Sequence, residues 1–463
     1  MRITSIFDRS QTPSRLLVWS ADDEADDEAI RLSLRRRLRA RGDGGFGRLA
    51  EARASAGPGP VRGALVASSA QDALAALDGA RPGAFLGRNA GPNLPVGVLL
   101  PGQGAQHARM AVGLYQREPV VTAALEEVFT QLGDEGDRVR FDWLAEVPVL
   151  PIDHPARALP LLFALDYALG RLLLAWGVRP SVLLGQGVGE LAAAALAGVL
   201  TLPDAVRVLR AQADQLGRAP AGGLVAVAAG ADEVGPYLPG EVVVAAENGP
   251  GQTVIAGPED QLAMAARALD AAGLACLRVR AGTAYHSPVV AEACVRAGSV
   301  LAEVPLLPPE IPVLSTATAA PVRPDQAVDP GFWARQPAAP VRLWPAVDTL
   351  FANGEHLCVE AGPGQGMAAL VRRHPAVARG GSQVHSLLAA RPRNGEHDRR
   401  SVLLQAARMW TAGHDLDLAA VQRLTDRGAP SSTDVAVVER PPARSDPVPA
   451  RPRYLTSVPG GRT

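Results

Sequence analysis

The chain has 463 residues, 47% of them hydrophobic, which is too long for one minimal domain and enough for a large buried core. Its net charge of −1 lacks the basic excess of a nucleic-acid binder. All 46 residues counted as Lys+Arg are arginine, which excludes Schiff-base chemistry and the lysine of a phosphate-binding loop. Cys276, Cys294 and Cys358 lie far apart with no CxxC pair, as expected of a reducing, cytoplasmic setting and not of a zinc cluster or disulfide framework. Residues 1–20 contain no apolar run of signal-peptide length.

Residues 1–92 read as a small α/β region. It has a strand at 16–20, a helix at 22–41 that is acidic first and basic later, a loop at 55–62, a strand at 63–68 and a helix at 71–77. From residue 93 strands and helices alternate. The apolar run 96–100 is expected to be a strand buried on both faces, and it ends in a turn. Helical periodicity covers 120–132 and then 159–176. The second stretch carries Asp166 and Arg171, so it reads as a core helix rather than a membrane span. A strand at 181–184, a glycine-rich turn and helices at 188–197 and 203–216 follow, the order of a parallel α/β sheet.

Residues 221–283 read as an inserted unit. Strands at 223–228, 241–245, 253–256 and 275–279, with helices at 231–237 and 260–272, give the β-α-β-β-α-β order of a ferredoxin-like fold. The larger domain, 93–220 and 284–392, resumes with a strand at 311–315, a helix near 341–351 and strands at 356–360 and 384–388. Residues 393–463 are expected to be a linker, with a flexible Pro/Ser/Arg/Asp-rich tail from about 428.

The chemistry concentrates at the turn Gly185-Gln186-Gly187-Val188-Gly189-Glu190. A strand–GxSxG–helix turn holds a nucleophile on a sharp elbow, where the helix N-terminus and the next backbone N–H stabilise an oxyanion. Here the glycine spacing is present, but position 187 carries no hydroxyl.

Five segments in order resemble the malonyl-CoA:acyl-carrier-protein transacylase family, including the acyltransferases of polyketide synthases. They are Pro101-Gly102-Gln103-Gly104-Ala105-Gln106 (family PGQGxQ), the turn at 185–190 (family GHSxGE) and the hairpin Asn248 to Gly257 (family NGPxxxVxxG). The last two are Tyr285-His286-Ser287, at the family's catalytic histidine, and Glu360-Ala361-Gly362-Pro363-Gly364. The resemblance implies an α/β-hydrolase-like acyltransferase domain with the ferredoxin-like insertion, flanked by linker-like regions. His286 then matches the base, and Gln336 matches a residue that holds it by its side chain or a nearby backbone group. The backbone N–H groups of Gln103 and Val188 match the oxyanion hole.

Two departures follow. Gly187 stands at the serine position and Gln186 at the preceding histidine. The family's carboxylate-binding arginine lies 25 residues beyond the serine, and here that position is Gln212. Arg210 points about 200° away on a helix. The segment before His286, ending in Tyr285, matches neither usual extender-selecting tetrapeptide. Gln186, Gln212, Tyr285 and His107 are the candidate substrate contacts.

The resemblance implies no bound cofactor and no metal; acyl-CoA or a phosphopantetheinyl carrier-protein thioester is the expected substrate. An acyl carrier protein or ketosynthase is the expected partner, with neither nucleic acid nor membrane. Two readings stay open. One is a pseudo-acyltransferase that binds its partner. The other is an enzyme in which His286 serves as general base without an acyl-enzyme.

Overall fold

The structure, a computed structural model, describes residues 13–53, 57–80, 84–88, 93–279, 281–390 and 395–423. The tail expected from about residue 428 lies outside the described residues.

Near the N-terminus, β1 (Arg15–Ala21), β2 (Val61–Ala67) and β3 (Ala84–Arg88) form an antiparallel sheet in the order β1-β2-β3. Side chains alternate across a strand, and here both faces are apolar. Leu17, Trp19 and Leu65 pack with Leu34 and Leu38 of the helix Glu24–Arg53. Leu16, Val18, Ala64 and Val66 share the main core with Val402, Leu403 and Ala406 of the helix Gly395–Thr411. The segment read as a linker after residue 393 therefore begins with a helix that covers the second face of the N-terminal sheet. The helix expected at 22–41 runs to Arg53, interrupted at Gly42, whose φ of 57° and ψ of −158° only glycine adopts readily.

The chain then enters the large sheet with β4 (Val96–Leu100) and β5 (Pro180–Gly185). It passes through β6 (Gly222–Val227), β7 (Val243–Gly249), β8 (Gln252–Pro258) and β9 (Cys276–Arg278). It returns with β10 (Val313–Ser315), β11 (Ala320–Pro321), β12 (Leu357–Glu360) and β13 (Gln383–Ser386). The large sheet has the order β11-β10-β5-β4-β12-β13 and is parallel except for the edge strand β11. The inserted sheet is antiparallel, in the order β7-β8-β6-β9, as the ferredoxin-like reading requires. Its first helix is short, Ala231–Val234, followed by a 3-10 turn at Gly235–Tyr237.

The helix Pro155–Ala175 is long and apolar enough by composition to cross a membrane, but 83% of its most apolar window is buried inside the fold. It packs against the helices Pro119–Leu132, Val188–Leu196 and Leu202–Gly217. The neighbouring strands β5, β4 and β12 run in one direction, so the turns after Gly185, Leu100 and Glu360 gather at one edge. In open parallel sheets this edge is where ligands bind.

Candidate active site

Close packing decides most of the glycines here. A Cβ on Gly102 would sit 2.3 Å from the carbonyl oxygen of Gln186, and one on Gly189 would sit 2.2 Å from that of Leu100. The two turns interlock through these positions, and the Gln186 N–H donates to Leu100 O at 3.0 Å. Gly187 is different. Its φ is 56° and its ψ −123°, at the N-cap of the helix Val188–Leu196. A Cβ there would meet no backbone closer than 3.9 Å; its nearest neighbours would be Gln103 Oε1 at 3.0 Å and His286 Nε2 at 3.6 Å. Position 187 therefore has the direction for a side chain facing His286, and the space once the Gln103 carboxamide shifts.

His286 is fixed from the other side. Its Nδ1–H donates to Ala339 O at 2.8 Å, and its backbone N–H donates to Pro337 O at 2.9 Å. That leaves Nε2, facing position 187, as the acceptor nitrogen of the neutral ring. The residue holds a φ of 60°, rare for a side chain of this size. Burial lowers its pKa to about 4, against the opposing effect of the Ala339 hydrogen bond.

The sign of the resulting pH dependence follows by linkage. The folded pKa lies below the unfolded value, so the unfolded chain binds an extra proton between about pH 6.5 and pH 4. The stabilisation is complete above the unfolded pKa and is lost as pH falls through this window. Urea unfolding of wild type and His286→Gln at stepped pH is expected to show a shallower decline in the variant; parallel declines would contradict the assignment.

The Gln336 amide hydrogen-bonds to groups other than His286. Its Nε2 donates to Gly187 O at 3.0 Å and to Glu190 Oε2 at 3.2 Å. Glu190 is fully buried and also accepts from the Thr316 N–H at 3.2 Å and the Thr316 hydroxyl at 3.0 Å. Burial raises its pKa, and these hydrogen bonds oppose the rise. Gln336 thus ties the elbow to a buried carboxyl, while the carbonyl of Ala339, three residues on, orients the histidine. In the sequence Glu190 is visible only as an acidic residue opening an alanine-rich helix; nothing there marks it as the elbow's anchor.

A small pocket brings together Gln103, Gly187, Val188, Gln212, Tyr285, His286 and Gln336, closed by Leu159, Leu216 and Pro337. Its cavity volume is about 10 Å³, the space of one water molecule. Val188 opens its helix, so its N–H is one of those a helix leaves unpaired. Tyr285 is buried and hydrogen-bonded to Gln103 and Thr283, and burial pushes its pKa up to about 12.

Gln186 and His107 are not among the residues lining this pocket. His107 turns back to Ala105 O at 3.3 Å, and burial lowers its pKa. The Ser287 hydroxyl donates to Ala284 O at 2.7 Å and is 1% exposed, so it does not face position 187 as a nucleophile. Among the described residues no cluster of three or more His, Cys, Asp or Glu side chains could hold a metal ion.

Comparison with known proteins places these observations. The sequence model of the acyl transferase domain family matches residues 98–415. A phenolphthiocerol/phthiocerol polyketide synthase component of Mycobacterium tuberculosis (strain CDC 1551 / Oshkosh) is 36% identical over 322 residues, covering 69% of this chain and 21% of the relative. Spectinabilin polyketide synthase system protein NorB of Streptomyces orinoci is 30% identical over 438 residues, covering 88% of this chain and 20% of the relative. The chain therefore spans about a fifth of the length of these relatives. Among solved structures, the acyl transferase domain of SpnD in complex with 2-(pent-4-yn-1-yl)malonyl superposes with a TM-score of 0.78 at 28% identity. That match covers 90% of this chain and 100% of the other.

Proposed function

Because the chain belongs to the acyl transferase domain family, we propose that it is a polyketide-synthase-type acyltransferase domain that no longer forms an acyl-enzyme and instead binds a carrier protein or ketosynthase. One observation carries this reading: the position whose Cβ would lie 3.6 Å from His286 Nε2 is a glycine. Removing the nucleophile of such a site costs on the order of 10⁶ in turnover. The anchoring of the elbow through Gln336 and Glu190 supports a retained fold rather than a decayed one.

Incubation with acetyl-, propionyl- and malonyl-CoA is expected to leave the intact mass of the protein unchanged, while a carrier protein still binds in calorimetry. A covalent adduct on the wild-type chain would overturn the proposal. A second reading has its own support. His286 presents a free acceptor nitrogen beside a space of one water molecule, the arrangement needed for base-assisted attack of water or another nucleophile on a thioester. CoA release that disappears in His286→Ala would select that reading.

A further inference from the structure

The helix Glu24–Arg53 covers one face of the N-terminal sheet, and its outer face carries charges that the fold does not use. At 100° per residue, Leu34 and Leu38 turn inward to the sheet, where they are buried. On the opposite side Ala25, Glu28, Ala29, Leu32, Arg36 and Arg39 share one stripe, and all six are exposed. Leu32, in the middle of the stripe, is 51% exposed. Among the described residues the side chains of Glu28, Arg36 and Arg39 have no hydrogen-bond or ion-pair partner. Arg31, one turn from Glu28, is ion-paired with Asp27 instead. Glu28 and Arg36 stand about 12 Å apart along the axis, too far to pair with each other. The helix dipole does not account for Glu28, since its effect fades beyond the first turn.

We infer that this stripe docks on the same stripe of a second copy of the chain, helix against antiparallel helix, with the two-fold axis at Leu32. Leu32 lies midway between Glu28 and Arg36, so a two-fold rotation about it sets each Glu28 opposite Arg36 of the other copy. An isologous contact needs a self-complementary surface, and acid on one side of the axis with base on the other supplies it. Arg39, a turn beyond Arg36, adds positive charge on the same side. The row Glu28-Leu32-Arg36 is an i±4 ridge, and two such ridges lie side by side when helices cross at about −50°. Ala25 and Ala29 leave room for the arginines of the other copy, and the two Leu32 side chains shield each other from water between the ion pairs. An acidic partner protein would suit Arg36 and Arg39 but would set Glu28 against like charge. A contact of one helix face is small and its ion pairs stay near water, so the association is weak and salt-sensitive.

Sedimentation equilibrium of the full chain at low salt is expected to show a concentration-dependent dimer. Raising NaCl to about 0.5 M should weaken it. Glu28→Arg sets arginine against arginine across the axis, and Arg36→Glu sets glutamate against glutamate. Each is expected to raise the dimer dissociation constant about tenfold or more. Mixing the two variants restores both attractive pairs in a heterodimer, so the mixture should associate more tightly than either variant alone. A variant that had merely lost its fold would not give that recovery. A wild-type chain that stays monomeric up to about 1 mM overturns the inference, whether or not it binds an acidic partner through Arg36 and Arg39. A dimer that neither substitution weakens overturns it too, and so does a mixture that associates no better than its components.

Discussion

Gly187→Ser is expected to yield a covalent acyl adduct, seen as one acyl mass added to the intact protein after incubation with acetyl-CoA. The serine hydroxyl would attack the thioester carbonyl, His286 would take its proton, and CoA would leave as the thiol. The geometry favours this. The side chain would project toward Nε2, and the backbone carbonyls that obstruct positions 102 and 189 do not obstruct 187. Two costs stand against it. A non-glycine residue at φ 56° and ψ −123°, outside the left-handed helical basin, carries about 1–3 kcal/mol of strain, and Gln103 Oε1, at 3.0 Å, must swing aside. That oxygen ends a flexible side chain, so the move is small. Gly187→Ala carries the same strain without a hydroxyl and should give no adduct. Adding His286→Ala to the serine variant should slow acylation by about 10²–10⁴. A folded serine variant that stays unmodified would show that the rest of the pocket no longer supports the chemistry.

What is legible in the sequence about this site has a physical basis. Turn glycines are constrained by backbone geometry, so Gly102 and Gly189 mark the two turns by residue type, while their interlocking is seen only in the fold. The strand runs at 96–100 and 181–184 then imply that those turns meet at one sheet edge. The partners of the side chains are less visible. A backbone acceptor leaves no signature in residue type, so the hold of Ala339 on His286 is silent in the sequence. The position of Gln336 puts it near the histidine, yet its amide serves Gly187 and Glu190. The cavity's size depends on Leu159 and Leu216, from helices distant in sequence. At the domain level the unbroken apolar run Leu16-Leu17-Val18-Trp19 already requires cover on both faces of β1. Nothing local says that the second cover is the helix Gly395–Thr411.

The N-terminal end of that helix carries the second large prediction. Arg399 is fully buried and ion-paired with Glu118, which is 2% exposed and sits at the N-cap of the helix Pro119–Leu132. Its Nε also donates to Ser14 O at 3.2 Å. Burial, with Arg15 and Arg117 adding repulsion, holds its pKa below the usual guanidinium range, at about 9, so it is still a cation at neutral pH. A buried charge that loses its partner costs far more than the pair is worth. Glu118→Gln and Arg399→Met are therefore each expected to lower unfolding stability by about 3–5 kcal/mol. The double variant removes both charges and should lose much less than the sum, because a neutral amide beside a methionine has no stranded ion to solvate. Urea unfolding of the four proteins closes the cycle. Simple additivity would mean that the pair does not hold the C-terminal helix to the body. Strong coupling would identify the N-terminal end of that helix as a polar clamp. The apolar face of the same helix, through Val402, Leu403 and Ala406, completes the N-terminal sheet. The two attachments are separable, since the clamp is electrostatic and the sheet contact is not. Loss of the clamp should leave the elbow's own anchors, Gln336 and Glu190, in place.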